Sequence, residues 1–269
     1  MSFPFRFDLR VKMVALILLS LTRLGAEPAE PLHKAEVKLI VPGELAGPAR
    51  EKFEAAGGEP ELETVCFFDT ADQKLQAAGI ILRARKKGDN AGDAIVKLTY
   101  KTAEAAAADV IDDVKVEEDW VDQVQPRLSR TIDRGKPLSD DQAAALKTGA
   151  LSARDALDEA QRALVEKRVK GLKWEDVKCY GPIAARIWKD VKFPGAITKK
   201  MTVEDWSMAK DGAAEEKILE VSAKGKKLTA KELAAFVKDF FSTAKTQKLG
   251  EPSGESKTKR ALQFFAPGK

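Results

Sequence analysis

The 269-residue chain contains one histidine, His33, and two cysteines, Cys66 and Cys179. A single histidine at the start of a strand-like segment argues against a multi-histidine metal site and against a Ser-His-Asp triad, and it is expected to be exposed and uninvolved. The two cysteines are far apart in sequence. They leave two readings open: a disulfide in an oxidising compartment, or two separate buried thiols. No residue next to Cys66 offers a base to activate it. Aromatic residues make up only 7% of the chain, and the sequence has no Gly-rich phosphate loop of the Walker kind, no internal repeat and no low-complexity linker.

Long apolar runs are missing too. Met13 to Leu21 is an apolar stretch of about nine residues, where a membrane-spanning helix needs about 20. Arg6, Arg10 and Lys12 precede it and Leu24-Gly25-Ala26 follows it, which is the layout of a secretory leader cut before Glu27. Residues 1–26 are therefore expected to be a signal peptide, residues 27–269 the mature domain, and the protein secreted or periplasmic. No cysteine follows the apolar run, so neither a lipid anchor nor another stable membrane anchor is expected. Residues 1–26 hold four basic side chains against Asp8, a net +3 of the chain's +4, so the remainder is only +1. A chain so near neutrality has no general field for nucleic acid. Any anion site must come from local placement of charge.

Period-two alternation supplies that placement. From Lys34 to Val41, one face reads Ala35, Val37, Leu39, Val41 and the other Lys34, Glu36, Lys38. Ile80 to Arg85 puts Arg83 and Arg85 opposite Leu82 and Ala84. Ala94 to Lys101 puts Lys97, Thr99 and Lys101 opposite Val96, Leu98 and Tyr100. Asp113 to Trp120 separates Lys115, Glu117 and Asp119 from Val114, Val116 and Trp120, and Lys217 to Lys224 separates Glu220, Ser222 and Lys224 from Leu219, Val221 and Ala223. Ala185 to Lys192 and Met201 to Met208 divide less cleanly, with Arg186 beside Trp188 and Glu204 beside Trp206.

Helices are predicted between these strands. Pro48 to Ala56 stops at Gly57-Gly58, and Asp72 to Ala78 stops at Gly79. The Ala-rich stretch from Asp140 to Arg168 is divided at Gly149 into two helices, within a helical insertion over residues 139–170. Thr229 caps a helix whose apolar side carries Phe236, Val237 and Phe240, and after a loop at Gly250 to Gly254 a final element spans Thr258 to Phe265. The mixture is α+β. Two arrangements of the strands remain open. An antiparallel sheet can keep its charged face in water, or it can close into a barrel of about eight strands with the charged faces inward.

Cys66-Phe67-Phe68-Asp69-Thr70-Ala71-Asp72, followed by Leu75 to Gly79 and then Ile80-Ile81-Leu82-Arg83-Ala84-Arg85, resembles the CYTH superfamily pattern of an aromatic-Phe-Asp-Thr turn, a short helix and a Leu-Arg-x-Arg strand. Val96 to Lys101 is similar to that family's Leu-Thr-x-Lys strand, Lys115 to Asp119 to its central charged strand, and Ile218 to Val221 to its late carboxylate strand. Ser256-Lys257-Thr258-Lys259-Arg260 resembles its terminal Ser-Lys-x-x-Arg segment. The resemblance runs from about Lys34 to Phe265. It implies an antiparallel closed β-tunnel (the triphosphate tunnel fold) with helices packed outside. It also implies hydrolysis or cyclisation of triphosphates with Mg²⁺ or Mn²⁺, as in the family's triphosphatases and adenylate cyclases. The residues it points to for the phosphates are Lys38, Arg83, Arg85, Lys97, Lys101, Lys115 and Arg186. Those for the metal are Glu36, Glu117, Asp119 and Glu220, with Glu204 weaker, and those for catalysis are Glu36, Lys38 and Glu220.

The sequence departs from the family at Lys34, which stands where the first carboxylate of Glu-x-Glu-x-Lys belongs, and at Ser222, where a second late carboxylate is frequent. Fewer oxygen ligands and an added ammonium weaken a hard-cation site and favour an anion. Three functions follow as expectations: a metal-dependent triphosphatase, a non-catalytic tunnel for triphosphate or polyphosphate, and a structural tunnel. Cyclase activity ranks last, because export removes the chain from its ATP pool.

Overall fold

Alternation becomes the two faces of one closed sheet in the computed structural model, which describes residues 32–111, 114–133, 135–192 and 201–266. The leader expected over 1–26 lies outside the described residues. The strands are β1 His33–Val41, β2 Glu61–Thr70, β3 Ile80–Lys87, β4 Asp93–Tyr100, β5 Glu117–Trp120, β6 Arg127–Asp133, β7 Val177–Val191, β8 Met201–Met208 and β9 Glu216–Leu228. The helices are α1 Gly43–Gly57, α2 Lys74–Ala77, α3 Ala103–Ala108, α4 Asp140–Thr148, α5 Ala153–Ala156, α6 Glu159–Arg168, α7 Ala230–Thr246 and α8 Lys257–Phe265. Among the described residues, no helix is long and apolar enough to cross a membrane.

The strands close in the order β1-β5-β6-β4-β3-β2-β7-β8-β9, and β9 returns to β1. The fold is α+β, as expected, with nine strands rather than about eight. Eight of the nine pairings are antiparallel; β1 and β5 run parallel, with Glu36 opposite Asp119. β2 and β6 were not visible as alternating segments. Most of β2 is buried on both faces, and β6 (Arg127 to Asp133) mixes polar side chains on both.

Closure selects the second of the two arrangements. The apolar faces point out and are covered by helices. Ala35, Val37, Leu39, Val203, Leu219 and Val221 form one cluster with Phe53 of α1 and Phe236, Phe240 and Phe241 of α7. Cys66, Phe68, Leu82, Ala84, Val96 and Leu98 form another with Leu75 of α2, Leu146 of α4 and Val165 of α6. Burying a large aliphatic or aromatic side chain contributes about 1.5–3 kcal/mol, so these two seams hold the helices to the wall.

The expected Thr229 cap and Gly149 break are both present, though three helices, α4, α5 and α6, fill the stretch expected to hold two. Thr229 and Glu232 form a capping box on α7, Ser139 and Gln142 form one on α4, and Gly149 (φ 74°) ends α4 in the left-handed region that glycine adopts without strain. The helix expected from Pro48 starts earlier, at Gly43, because Ala46, Ala49 and Phe53 share its buried side and Pro48 lies within it. His33 is half-buried and paired with Glu118, not exposed.

A third cluster lies on the inward face. Ile40, Val65, Phe67, Ile183, Ile187, Trp206, Met208 and Ile218 meet Ala261 and Leu262 of α8, with Phe264 and Phe265 packed beside them. The C-terminal helix therefore lies across the interior of the barrel. Along β1 the inward residues run Lys34, Glu36, Lys38, Ile40, so the charged part of the tunnel is at one end and α8 fills the other.

Candidate functional site: the charged half of the tunnel

Five strands, β1, β4, β5, β6 and β9, bring the first group of charges together. Lys38 Nζ donates to Asp119 Oδ1 at 2.8 Å and lies 2.9 Å from Glu36 Oε2. Lys97 Nζ donates to Asp119 Oδ2 at 2.6 Å, and Ser129 Oγ donates to the same oxygen at 2.8 Å. Lys34 reaches Glu117 at 3.4 Å and Lys224 reaches Glu36 at 3.5 Å. Burial opposes ionisation of Glu36, but Lys38 and Lys224 outweigh it and bring its pKa down to about 2. Burial likewise opposes the charge on Asp119, and Lys38 and Lys97 overcome it, holding the carboxyl well below its usual range. Lys38 is desolvated, yet Glu36, Asp119 and Glu220 keep it firmly protonated. Lys97 goes the other way: burial and the neighbouring Lys38 lower its pKa despite Asp119.

A second group joins β8, β9 and α8. Glu204 and Glu220 face each other across the β8–β9 pairing, and Lys257 from the first turn of α8 forms ion pairs with both, at 2.8 Å from Glu220. Lys257 also sits 4.5 Å from the centroid of the Trp206 ring, whose Nε1–H donates to Glu204 at 3.0 Å. Burial and the opposing Glu204 push the Glu220 pKa up, with Lys257 working against the rise.

The third group is on β3. Arg85 Nε donates to both oxygens of Asp93, at 3.0 and 2.8 Å, and Arg85 Nη1 lies 4.0 Å from Glu63. Arg83 shares its face. Its Nε is buried and has no hydrogen-bond partner among the described residues. Burial and the adjacent Arg85 lower its pKa.

Of the sequence-derived candidates, Glu36, Lys38, Arg83, Arg85, Lys97, Glu117, Asp119 and Glu220 all lie on the inward face. Arg186 does not. It points outward with Trp188, where it donates to Asp205 and Glu54, each at 2.7 Å, because the inward positions of β7 are taken by Ala185 and Ile187. Lys101 follows the end of β4 and Lys115 precedes β5; both are exposed and neither enters the described ion-pair network. Glu220 stands apart from the other metal candidates, held by Lys257. Lys257, Glu63, Ser129 and Lys224 belong to the site and were not singled out. Two of them carry a sequence signal: Lys257 in the Ser-Lys segment, and Lys224 on the charged face of its strand with Glu220. Asp69 of the Phe-Asp-Thr motif is structural: its carboxylate accepts from the backbone N–H groups of Thr70, Leu75 and Gln76 at 2.7, 2.9 and 3.0 Å, which fixes the start of α2.

Glu36, Glu117 and Asp119 each place an oxygen within 4.8 Å of the others, a spacing that one divalent cation could bridge. Hard cations such as Mg²⁺ and Mn²⁺ take such all-oxygen donors. Five of the six oxygens in the trio, however, face a lysine ammonium within 3.5 Å. The donor set fits a cation once those lysines turn to another anion.

No protein-family model matches the chain, and no curated protein sequence matches it significantly. Solved structures do. The chain is similar to a Bacillus halodurans protein described as a candidate adenylate cyclase (TM-score 0.52, 15% identity, covering 85% of this chain and 97% of the other). It is also similar to a Hippeastrum protein described as a candidate adenylyl cyclase with a dominant triphosphatase activity (TM-score 0.51, 14% identity, covering 85% and 95%). At that identity the likeness shows the fold. With its closed barrel, outward apolar faces and inward charges, the chain has the CYTH-like tunnel fold.

Proposed function

We propose that the charged half of the tunnel binds a linear condensed phosphate: tripolyphosphate, polyphosphate or the triphosphate arm of an organic molecule. The observation that carries this reading is the buried, unpartnered Nε of Arg83 beside Arg85 on one strand face. Leaving a buried donor unmade costs about 1–3 kcal/mol, and two guanidinium forks two residues apart match successive phosphate groups. Lys38, Lys97, Lys34 and Lys224 already hold carboxylate oxygens and can exchange them for phosphate oxygens with little change in position. Titration calorimetry with tripolyphosphate tests the proposal. Saturable binding that weakens at least tenfold in Arg83→Met supports it, and absence of heat with every condensed phosphate would leave a structural tunnel.

Hydrolysis is the second reading, favoured by the carboxylate trio within 4.8 Å. When phosphate draws Lys38 and Lys97 away, Glu36, Glu117 and Asp119 would hold Mg²⁺ or Mn²⁺. Such an ion supplies charge neutralisation and an acidified water. Lys38 and Lys97 would orient the phosphates, and Glu220, ion-paired with Lys257 and with its pKa raised by burial, would be the carboxylate that takes up a proton. Phosphate release from tripolyphosphate with either metal checks this, and no release with intact binding would retain the binder alone.

We also propose export, supported by the basic and apolar segments before Glu27. A mature protein starting at Met1 in the cytosolic fraction would overturn it.

A further inference from the structure

The two cysteines meet on the outside of the barrel wall. In the β2–β7 pairing, Phe67 is opposite Tyr180 and Phe68 opposite Cys179, and the register shifts between Val65 and Phe67. Phe67 and Tyr180 point inward, whereas Cys66, Phe68 and Cys179 face the same outer cluster beneath α4. The shift sets Cys66 against Gly181, and a Cβ on that glycine would lie 3.0 Å from Cys66 Sγ. Glycine at 181 thus leaves room for the Cys66 sulfur, and Cys179 stands opposite Phe68, two residues further along β2 on the same face. The two thiols are neighbours in one outer cluster on adjacent strands, and Cys66 Sγ donates to the Leu146 carbonyl oxygen at 3.6 Å.

Exposure and acidity divide the roles. Cys66 has no exposed surface, while Cys179 is half-buried and reachable. The neighbouring Cys179, with burial, raises the Cys66 pKa, and the neighbouring Cys66 lowers that of Cys179. Cys179 is therefore the thiolate an incoming reagent meets, and Cys66 is the thiol behind it.

We infer that Cys66 and Cys179 are an oxidisable dithiol that closes to an intramolecular disulfide when it meets a disulfide-class oxidant. Cys179 thiolate attacks one sulfur of the oxidant, forming a mixed disulfide and expelling one thiolate. Cys66 then gives its proton to solvent and attacks the Cys179 sulfur, expelling the second half of the reagent. The S–S bond forms, two electrons pass to the oxidant, and the oxidant leaves as two thiols. The new bond ties β2 to β7 beside Phe67 and Tyr180 of the tunnel lining. The inference is independent of what the tunnel holds.

The test uses the full purified chain, fully reduced and then incubated with oxidised glutathione. After denaturation and alkylation, the expected product takes up no alkylating reagent and is about 2 Da lighter than the reduced chain, with no covalent dimer. Cys66→Ser should instead stop at a stable glutathione adduct on Cys179. Two alkylatable thiols after oxidation of the wild type would overturn the inference, as would products limited to glutathione adducts or cross-linked dimers. The wild-type mass alone decides the matter if the serine variant does not fold.

Discussion

Lys257 leaves the first turn of α8 and ends between two carboxylates that oppose each other on β8 and β9, lying 2.8 Å from Glu220 and paired also with Glu204. One ammonium thereby joins the helix to the barrel wall and separates Glu204 from Glu220. Burial disfavours its charge, but the two glutamates more than compensate and raise its pKa.

Lys257→Met removes the ammonium and leaves Glu204 and Glu220 facing each other in a desolvated site. Breaking a buried pair from one side costs about 3–5 kcal/mol. In the variant, one glutamate takes up a proton on folding, so its stability should improve relative to wild type as the pH falls below neutrality. Thermal unfolding of both proteins across pH 4–8, with those limits chosen on the order of the usual carboxylate and neutral range, checks this. A deficit independent of pH would sink the account.

Acid should loosen the Glu36–Lys38–Asp119 group. Glu36 has its folded pKa depressed from 4.5 to about 2. Its contribution is therefore complete above 4.5 and is lost as the pH falls toward 2. A shift of that size corresponds to roughly 3 kcal/mol. Glu36→Gln should flatten the acid limb of the stability profile by up to one proton in this window. An unchanged slope in chemical denaturation at each pH would contradict it.

Lys34→Glu exchanges the ammonium beside Glu117, 3.4 Å away, for a further carboxylate near Glu36, Glu117 and Asp119. Divalent-cation affinity rises with ligand charge, so Mg²⁺ or Mn²⁺ should bind at least about tenfold more tightly. Calorimetric titration with the metal alone reads this directly. If phosphate release also appears only in the variant, Lys34 is what keeps the wild-type tunnel from turning over.

Arg83 and Arg186 are both arginines on barrel strands, and they should behave oppositely. Arg83→Met is expected to weaken tripolyphosphate binding at least tenfold. Arg186→Ala should leave it unchanged, since that guanidinium is outside the wall with Glu54 and Asp205, and should cost below about 1 kcal/mol because Arg186 and Glu54 are exposed and the buried Asp205 keeps Arg50 at 2.7 Å. Equal losses in both variants would place the anion on the outer surface.

By itself the sequence determined where charge and apolar surface alternate, where helices end at Gly57-Gly58, Gly79 and Gly149, and that the alternating charges could form an anion site. Thr229 and Gly149 act locally, through backbone hydrogen bonds within a few residues, so their roles were readable without a fold. The tertiary structure decided which face is inside. Period two defines two faces but gives neither a direction, and only closure through the parallel β1–β5 pairing turned Glu36, Lys38, Asp119 and Arg83 toward one another. Arg186 shows the same limit. Its strand carries apolar residues on both faces, so nothing local sent it outward. Lys257 shows it most clearly: its partners lie 53 and 37 residues away, and Glu204 and Glu220 acquire a shared cation only because α8 folds back across the barrel.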